Sequence, residues 1–396
     1  MVTELRKKFN DAFSDTKYQE FLKELQDGYN DIPFRVAETP VFLTDEIREQ
    51  LIQAGDDIIA LIKQQGFKTL TNRSIPAQWN VPNENRHPHF LTFDFGICRE
   101  SEGKIKPMLI EMQGFPSLYG FQAHLAQSYK GSFGLDPSLT PFFNGLQHDE
   151  YIALLKKVLI GQHDPSEVAL MDVDAAHQKT AIDFFVTREF TGIQVLSLDE
   201  IHQEGKRLFY EKDGRKVYLK RIYNRLIFDE IEANKDAFAN SFDPRQELDI
   251  EWVTHPNWFY RVSKFTMPFL KNEFVPETFF LNEVNDIPSD LENYVLKPLF
   301  SFAGQGVIID VEPSDITSIE DKENWILQRK VNYEPVVKSP DGGVKVEIRL
   351  MYLWPDNEEP QLCINLARLS RGKMIGVRYN KDFDWVGGTV GLMHKH

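Results

Sequence analysis

Over residues 1–65 the apolar positions recur at helical spacing. In "TDEIREQLIQAGDDIIALIKQ", Ile47, Leu51, Ile58 and Ile62 fall on one face. Thr44 stands at the N-cap, with Asp45 and Glu46 in the first turn. From Phe90 the period changes to two. "FLTFDFGIC" and "GKIKPMLIEMQG" read as two strands joined by a turn at "SEG". Helix-like and strand-like stretches then alternate through 167–233 in "QKTAIDFFVTREFTG", "QVLSLDEIHQEG" and "KVYLKRIYNRLIFDEI". The remainder, 250–396, is rich in strand-like runs: "YVLK", "GVIID", "WILQ", "VEIRLMYLW" and "QLCINLARL". This pattern predicts a mixed α/β (α+β) fold with antiparallel sheets in the C-terminal third. It divides the chain into 1–90, a helical region packing on the core; 90–165, a sheet region; 166–250, an α/β subdomain; and 251–396, a second strand-rich region.

One strand-like run carries chemistry. In "YVLKPLFSFAGQGVIIDV", Lys297 closes an apolar strand, Pro298 stiffens the exit, and Gly304, Gln305 and Gly306 form a small loop. Glycines let backbone N–H groups approach a ligand, and a row of N–H groups beside a lysine is a phosphate cradle. Neither GxxxxGK[ST] nor GxGxxG is present, so any phosphate loop here is of another design. The segment fits equally well a plain hairpin with a solvated lysine. A second lysine, Lys264 in "VSKFTMPFL", lies about thirty residues upstream. Two lysines can serve one polyphosphate held between sheets. Gln328 in "WILQRKV" lies near a strand end whose backbone can read an adenine edge.

Polyphosphate chemistry calls for a metal, and magnesium takes oxygen ligands. Asp94 lies in the first strand of the early hairpin. Glu111 and Gln113, two apart in the second, share a face. Antiparallel pairing brings all three together. A polar surface face of a sheet has the same alternation.

The order Asp94, Glu111 and Gln113, Lys264, then Lys297 with its loop resembles the synthetase domain of glutathionylspermidine synthase, an ATP-grasp family. "TFDF" is similar to that family's "RFDF", "EMQGFPSLYG" to "EYNADTPTSL", "VSKFTMPFL" to its "SNK" lysine with a Leu-Pro run, and "KPLFSFAGQGV" to "KPLLGREGANI". "SIPAQWNVP" resembles its "IP..lW" stretch, and the likeness runs over roughly 40–380. It implies an ATP-grasp-like fold, with nucleotide between two antiparallel-containing sheets and metal-binding strands early in the chain. The region 90–165 then becomes the metal and substrate sheet, 166–250 the substrate side, and 251–396 the ATP-binding part. Asp94, Glu111 and Gln113 would hold Mg2+; Lys264, Lys297, Gly304, Gln305, Gly306 and Gln328 would hold ATP. The implied reaction is ATP-dependent ligation of a carboxylate, small-molecule or peptide, to an amine through an acyl phosphate.

The departures fall on the substrate side. The family's "RFDF" arginine is Thr92, its metal-binding asparagine is Gln113, and its "GREG" loop is "SFAG", with Phe302 and Ala303 in place of charge. Another cation must then meet the acyl phosphate. Arg221 is the first candidate, because "RIYNR" is polar within an apolar setting, and Arg86 in "NENRHPHF" is the second. Lys220 and Arg225 lie nearby; in a helix Arg221 and Arg225 would share a face. Arg349 and Arg368 lie on later strand-like segments, where the resemblance implies a phosphate-contacting arginine and a metal-binding acid or amide, which makes Glu347 and Asn365 secondary candidates. Two alternatives stay open: a non-catalytic ATP-binding protein with a degenerate acceptor site, and an ATP-grasp phosphotransferase with a hydroxyl acceptor.

Composition narrows the setting. Lys and Arg number 45 against 60 Asp and Glu, a formal charge of −15, which argues against nucleic acid or anionic membrane as a bulk partner. The two cysteines, Cys98 and Cys363, give no disulfide framework, and the ten histidines show no HExxH pair. No stretch reaches the ~18 apolar residues of a membrane helix, and the start has no signal-like apolar core. A reducing, cytoplasmic setting is the expectation.

Overall fold

The computed structural model of the chain describes residues 1–29, 31–100, 103–228, 241–300, 305–372, 375 and 380–395. Three helices open it: α1 (Thr3–Ala12), α2 (Asp15–Gln26) and α3 (Asp45–Ile62). A hairpin of β1 (Phe90–Arg99) and β2 (Ile105–Gln113) follows, then α4 (Tyr119–Phe133) and α5 (His148–Ile160). The next stretch alternates β3 (Val168–Asp172), α6 (Ala181–Thr191), β4 (Gln194–Ser197), β5 (Arg221–Asn224) and β6 (Glu251–Val253). Three short strands come next: β7 (Thr278–Phe280), β8 (Tyr294–Pro298) and β9 (Trp325–Arg329). Two long strands, β10 (Gly342–Leu353) and β11 (Gln361–Ser370), and the short β12 (Gly387–Thr389) complete the main sheet.

These strands build three sheets of consequence. The central one is antiparallel, in the order β12-β11-β10-β1-β2. A parallel sheet runs β6-β5-β3-β4, and a small antiparallel sheet runs β7-β9-β8. The mixed α/β architecture with antiparallel sheets matches the sequence pattern. Of the α/β stretch of 167–233, Val168–Asp172, Gln194–Ser197 and Arg221–Asn224 are strands of the parallel sheet, a small antiparallel sheet occupies His202–Tyr218, and 229–233 lie outside the described residues; "VALMD" is buried at every position, as expected of a strand covered on both faces. Residues 221–224 form a strand, not a helix, so the shared helical face of Arg221 and Arg225 does not exist. β5 is held between β3 and β6, and backbone pairing on both sides overrides its helix-like spacing.

Local chemistry explains the layering. The Thr44 hydroxyl accepts a hydrogen bond from the Ile47 N–H and starts α3, whose Ile47, Leu51, Ile58 and Ile62 are all buried. Those side chains share one core with Phe93, Phe95 and Ile97 of β1. β1 therefore presents its phenylalanines to that core and its alternate residues, Thr92 and Asp94, to the other face. Gly55 permits α3 to lie this close: a Cβ there would sit 2.0 Å from the Tyr352 hydroxyl of β10. The opposite face of β1 and β2 is overlaid by the small sheet, since Lys297 of β8 bonds to the backbone of Ile110. No described helix is long and apolar enough to cross a membrane.

Candidate functional site

The central sheet places six charged or amide side chains on one face. Asp94 pairs in register with Glu111 of β2 and with Arg349 of β10; Thr92 pairs with Gln113 and Met351; Glu347 pairs with Arg368 of β11. Arg349 grips Asp94 with both prongs, Nε to Oδ1 at 2.5 Å and Nη2 to Oδ2 at 2.6 Å, and Arg368 Nη1 adds a contact to Oδ2 at 3.1 Å. Arg368 also binds Glu347, whose second oxygen accepts the Tyr333 hydroxyl at 3.1 Å. Arg349 Nη2 lies 3.9 Å from Glu111, and Gln113 donates to Glu111 at 2.8 Å.

The small sheet brings the lysine. Lys297 Nζ donates to the Ile110 carbonyl at 3.0 Å and to Gln328 Oε1 at 2.6 Å. Gln328 is fixed in turn by its own donation to Thr278 Oγ1 at 3.0 Å. Lys264, 7 % exposed, opens a short 3-10 segment (Lys264–Phe269) and lines a pocket with Glu111, Gln113, Ser263, Leu299 and Phe300. That pocket measures about 30 Å³, room for one or two waters. Three carboxylates (Asp94, Glu111, Glu347) thus stand against four cations (Arg349, Arg368, Lys264, Lys297), a formal 4 − 3 = +1.

The environment sets the protonation states. Burial, opposed by Glu111, lowers the Lys297 pKa to about 8, and burial also lowers that of Lys264. Burial lifts Glu347 to about 7 against the pull of Arg368. Asp94 feels the same burial, but the charges of Arg349 and Arg368 outweigh it and hold the carboxyl below its ordinary range. Both cysteines are buried thiols pushed up to about 12, so neither is primed as a nucleophile.

Most of the residues singled out in the sequence therefore meet here: Asp94, Glu111, Gln113, Lys264, Lys297 and Gln328, with Glu347, Arg349 and Arg368 from the later strands. Gln328 is spent on orienting Lys297. Gln305 and Gly306 lie in the turn after β8, where Gly306 takes φ +73° and a Cβ would meet Pro298 Cγ at 3.1 Å. Gly304, Phe302 and Ala303 lie outside the described residues.

Arg221 is elsewhere. It sits at the start of β5, bonded to Glu251 of β6, to Asp356 at 2.7 Å and to the Val158 carbonyl at 2.9 Å, with His89 at 3.5 Å. Those partners join the parallel sheet to the loop after β10, so Arg221 is a buried joint between sheets. Arg86 is exposed on the loop before β1, and Lys220 is exposed too. Arg225 is sandwiched between Phe115 and Phe184, 4.7 and 5.4 Å from the ring centroids. Asn365 faces away, bonded to Gly391 and the Pro141 carbonyl, because it is one residue out of phase with Leu366 and Arg368 on β11. Tyr333 escaped the sequence reading. Nothing in "VNYEPVV" marks it; it arrives because Asn332–Glu334 runs beside the end of β1, with Arg99 N–H to Asn332 O at 3.0 Å and Glu334 N–H to Ile97 O at 2.9 Å.

The carboxylates are hard oxygen donors of the kind magnesium takes. Yet among the described residues no three His, Cys, Asp or Glu side chains are placed to hold one ion. Both Asp94 oxygens and both Glu347 oxygens are already taken by guanidinium and hydroxyl donors. As they stand, these residues do not fit a metal ion.

The chain is similar in fold to a glutathione synthetase-like effector from Globodera pallida, solved in apo form. The match covers 98 % of this chain and 99 % of that one, at a TM-score of 0.61 and 8 % identity, a likeness of fold alone. No family model and no curated protein matches the chain.

Proposed function

We propose that the protein is an ATP-dependent carboxylate–amine ligase of the ATP-grasp kind, with the nucleotide between the small sheet and the central sheet. One observation carries this reading. Two lysines whose pKa burial has lowered, Lys264 and Lys297, converge beside Glu111 where the two sheets face each other. Lys297 donates only to neutral acceptors among the described residues, the Ile110 carbonyl and Gln328 Oε1, and a buried ammonium held this way is costly unless an anion comes to meet it. The glutathione synthetase-like fold and the resemblance of "KPLFSFAGQGV" to a family phosphate loop support the same assignment. A pocket of about 30 Å³ admits no nucleotide, so the proposal includes parting of the two sheets on binding.

In the proposed reaction a substrate carboxylate oxygen attacks the γ-phosphorus and ADP leaves with the bond pair. An amine nitrogen then attacks the acyl carbon, phosphate departs, and the nitrogen gives up a proton. Lys264 and Lys297 hold and neutralise phosphate oxygens; Gln328 keeps Lys297 aimed. Glu347, with a pKa near neutrality, is suited to exchange a proton close to the site. Magnesium belongs to the proposal only as the ion that accompanies ATP, and no step is assigned to it.

The test is ADP release from Mg-ATP across a panel of carboxylates and amines. Release that rises only when both are supplied supports ligation. Phosphorylated product without amide would mean phosphotransfer. Thermal stabilisation by ATP with no stimulation across the panel would favour the non-catalytic reading, which the saturated carboxylates recommend as second choice. A ligand at ~100 times its Kd adds about 2.7 kcal/mol of stability; no stabilisation by ATP would sink all three.

A further inference from the structure

We propose that a second pocket, between α3 and the strand Gly391–His394, binds a small organic acid, with its carboxylate at a cationic rim and its apolar body on an aromatic floor. This pocket measures about 230 Å³, against about 30 Å³ beside Lys264, and no residue lines both. The proposal therefore stands whether or not the ligase reading holds.

Three walls form the pocket, and hydrogen bonds fix each of them. α3 contributes Arg48 and Ile52, four apart and so on one face of the helix. Just before α3, the Leu43 N–H donates to the Leu392 carbonyl at 2.8 Å. The second wall is Met393 and His394, which pair in register with the short strand Leu139–Thr140. The third is the segment that leads into α5. Its Phe143 N–H donates to the Cys363 carbonyl at 2.9 Å, and the Asn144 amide to the Leu362 carbonyl at 3.0 Å. Asn365 of β11 donates to the carbonyls of Pro141 and Gly391, each at 3.0 Å, so a single amide ties two walls to the central sheet. Walls fixed before a ligand arrives leave little ordering to offset on binding. The third wall turns through two left-handed residues, Asn144 at φ +53° and Gly145 at φ +72°, and a Cβ on Gly145 would meet nothing within 4 Å.

The lining selects the ligand. Phe142, Phe143 and Met393 are buried and, with Ile52 and Leu146, make an apolar floor. Arg48, His394 and Lys395 stand above it, and among the described residues no carboxylate lines the pocket, in a chain of charge −15. Asp45 and Glu49 lie 3.1 and 3.6 Å from the Arg48 guanidinium, but their side chains are 57 and 71 % exposed, and pairs of that kind are weak. The Lys395 ammonium has no hydrogen-bond or ion-pair partner among the described residues. Behind Thr140, Lys130 donates to the Leu139 carbonyl at 2.8 Å. Burial and then the charge of Lys395 lower the Lys130 pKa, opposed by the exposed Asp136; a bound anion would relieve this crowding of like charges. The volume falls below the about 300–1,000 Å³ of sites for drug-sized ligands, which fits a single-ring or branched-chain acid.

The probe is phenylacetate, with phenylacetamide as its neutral isostere, titrated into the full chain and followed by saturation-transfer NMR and calorimetry. Phenylacetate is expected to bind with a Kd of about 1 mM or tighter, and phenylacetamide roughly tenfold more weakly. R48M should weaken phenylacetate roughly tenfold, and K395M, at an exposed rim position, about two- to fivefold. I52W, which fills the pocket from α3, should abolish binding. Should I52W prove unfolded by its melting curve, R48M/K395M at the rim locates the site instead. K297M and K264M should leave the phenylacetate Kd unchanged. Equal affinity for acid and amide overturns the choice of an anion. Native-like binding in R48M/K395M, or loss of binding in K297M, overturns the location. No saturation transfer at about 10 mM phenylacetate, ten times the expected Kd, overturns the pocket as a site.

Discussion

Lys297 offers the sharpest quantitative prediction. Burial holds its pKa near 8, and its two acceptors, the Ile110 carbonyl and Gln328 Oε1, are neutral. Only the ammonium form grips phosphate. If the protonated form alone binds, affinity tracks its population, which falls from about 90 % at pH 7 to about 10 % at pH 9 for a pKa near 8. The apparent Kd for ATP should therefore rise roughly tenfold between those pH values. Bound phosphate raises the lysine pKa, so binding near pH 8.5 should take up protons. Calorimetry in buffers of different ionisation enthalpy reads both quantities at constant ionic strength. K297M should bind weakly with the inflection gone, whereas K264M should bind weakly and keep it. A native Kd that stays flat from pH 7 to 9, or an unchanged inflection in K297M, would refute the assignment. The same shift bears on stability: the folded lysine binds its proton less tightly than the unfolded one, so its contribution becomes more favourable as pH rises from about 8 towards the unfolded value.

Three other outcomes follow from packing and pairing. R349M should cost about 3–5 kcal/mol in urea unfolding, because Asp94 keeps only the 3.1 Å contact to Arg368, and D94N/R349M should cost less than the sum of the single changes. Simple additivity would mean that the pair is not coupled. R221M should lower the melting temperature while leaving the ATP-dependent shift intact; loss of ATP binding in a folded R221M would return Arg221 to the site. G55A should destabilise by about 1–3 kcal/mol or more, since the new methyl meets the Tyr352 hydroxyl at 2.0 Å, and G55A/Y352F should recover part of that loss.

The parts legible in the sequence were those governed by local alternation. The hairpin of β1 and β2 followed from period-two patterning, and with it the meeting of Asp94, Glu111 and Gln113 on one face. Lys297 was legible as a strand-end lysine and Lys264 as a lysine ahead of an apolar run, by their places in an ordered series. Arg221 was not, because polarity inside an apolar run does not reveal a partner: its carboxylates, Glu251 and Asp356, lie 30 and 135 residues away. Asn365 and Arg368 sat in one strand-like run, and only the register of β11 against β10 decides which faces the cluster. Tyr333 depends on a loop running beside β1, which no local signal encodes.

The pairing of Asp94 with Arg349 spans 255 residues of chain. At ~5–20 residues per second of synthesis, the arginine emerges on the order of 10–50 seconds after its aspartate. Until then β1 has no β10 beside it, and a strand whose inner face carries a carboxylate cannot be buried without its counter-ion. The central sheet is thus obliged to wait for its last third. A fragment ending before β10 carries the early hairpin and both lysines but none of Glu347, Arg349 and Arg368, and the β1 edge that β10 would cover is left open to other chains. Such a topology makes folding slow and dependent on distant contacts. It also makes the charge cluster a checkpoint: the cluster is complete only once β10 and β11 have been made.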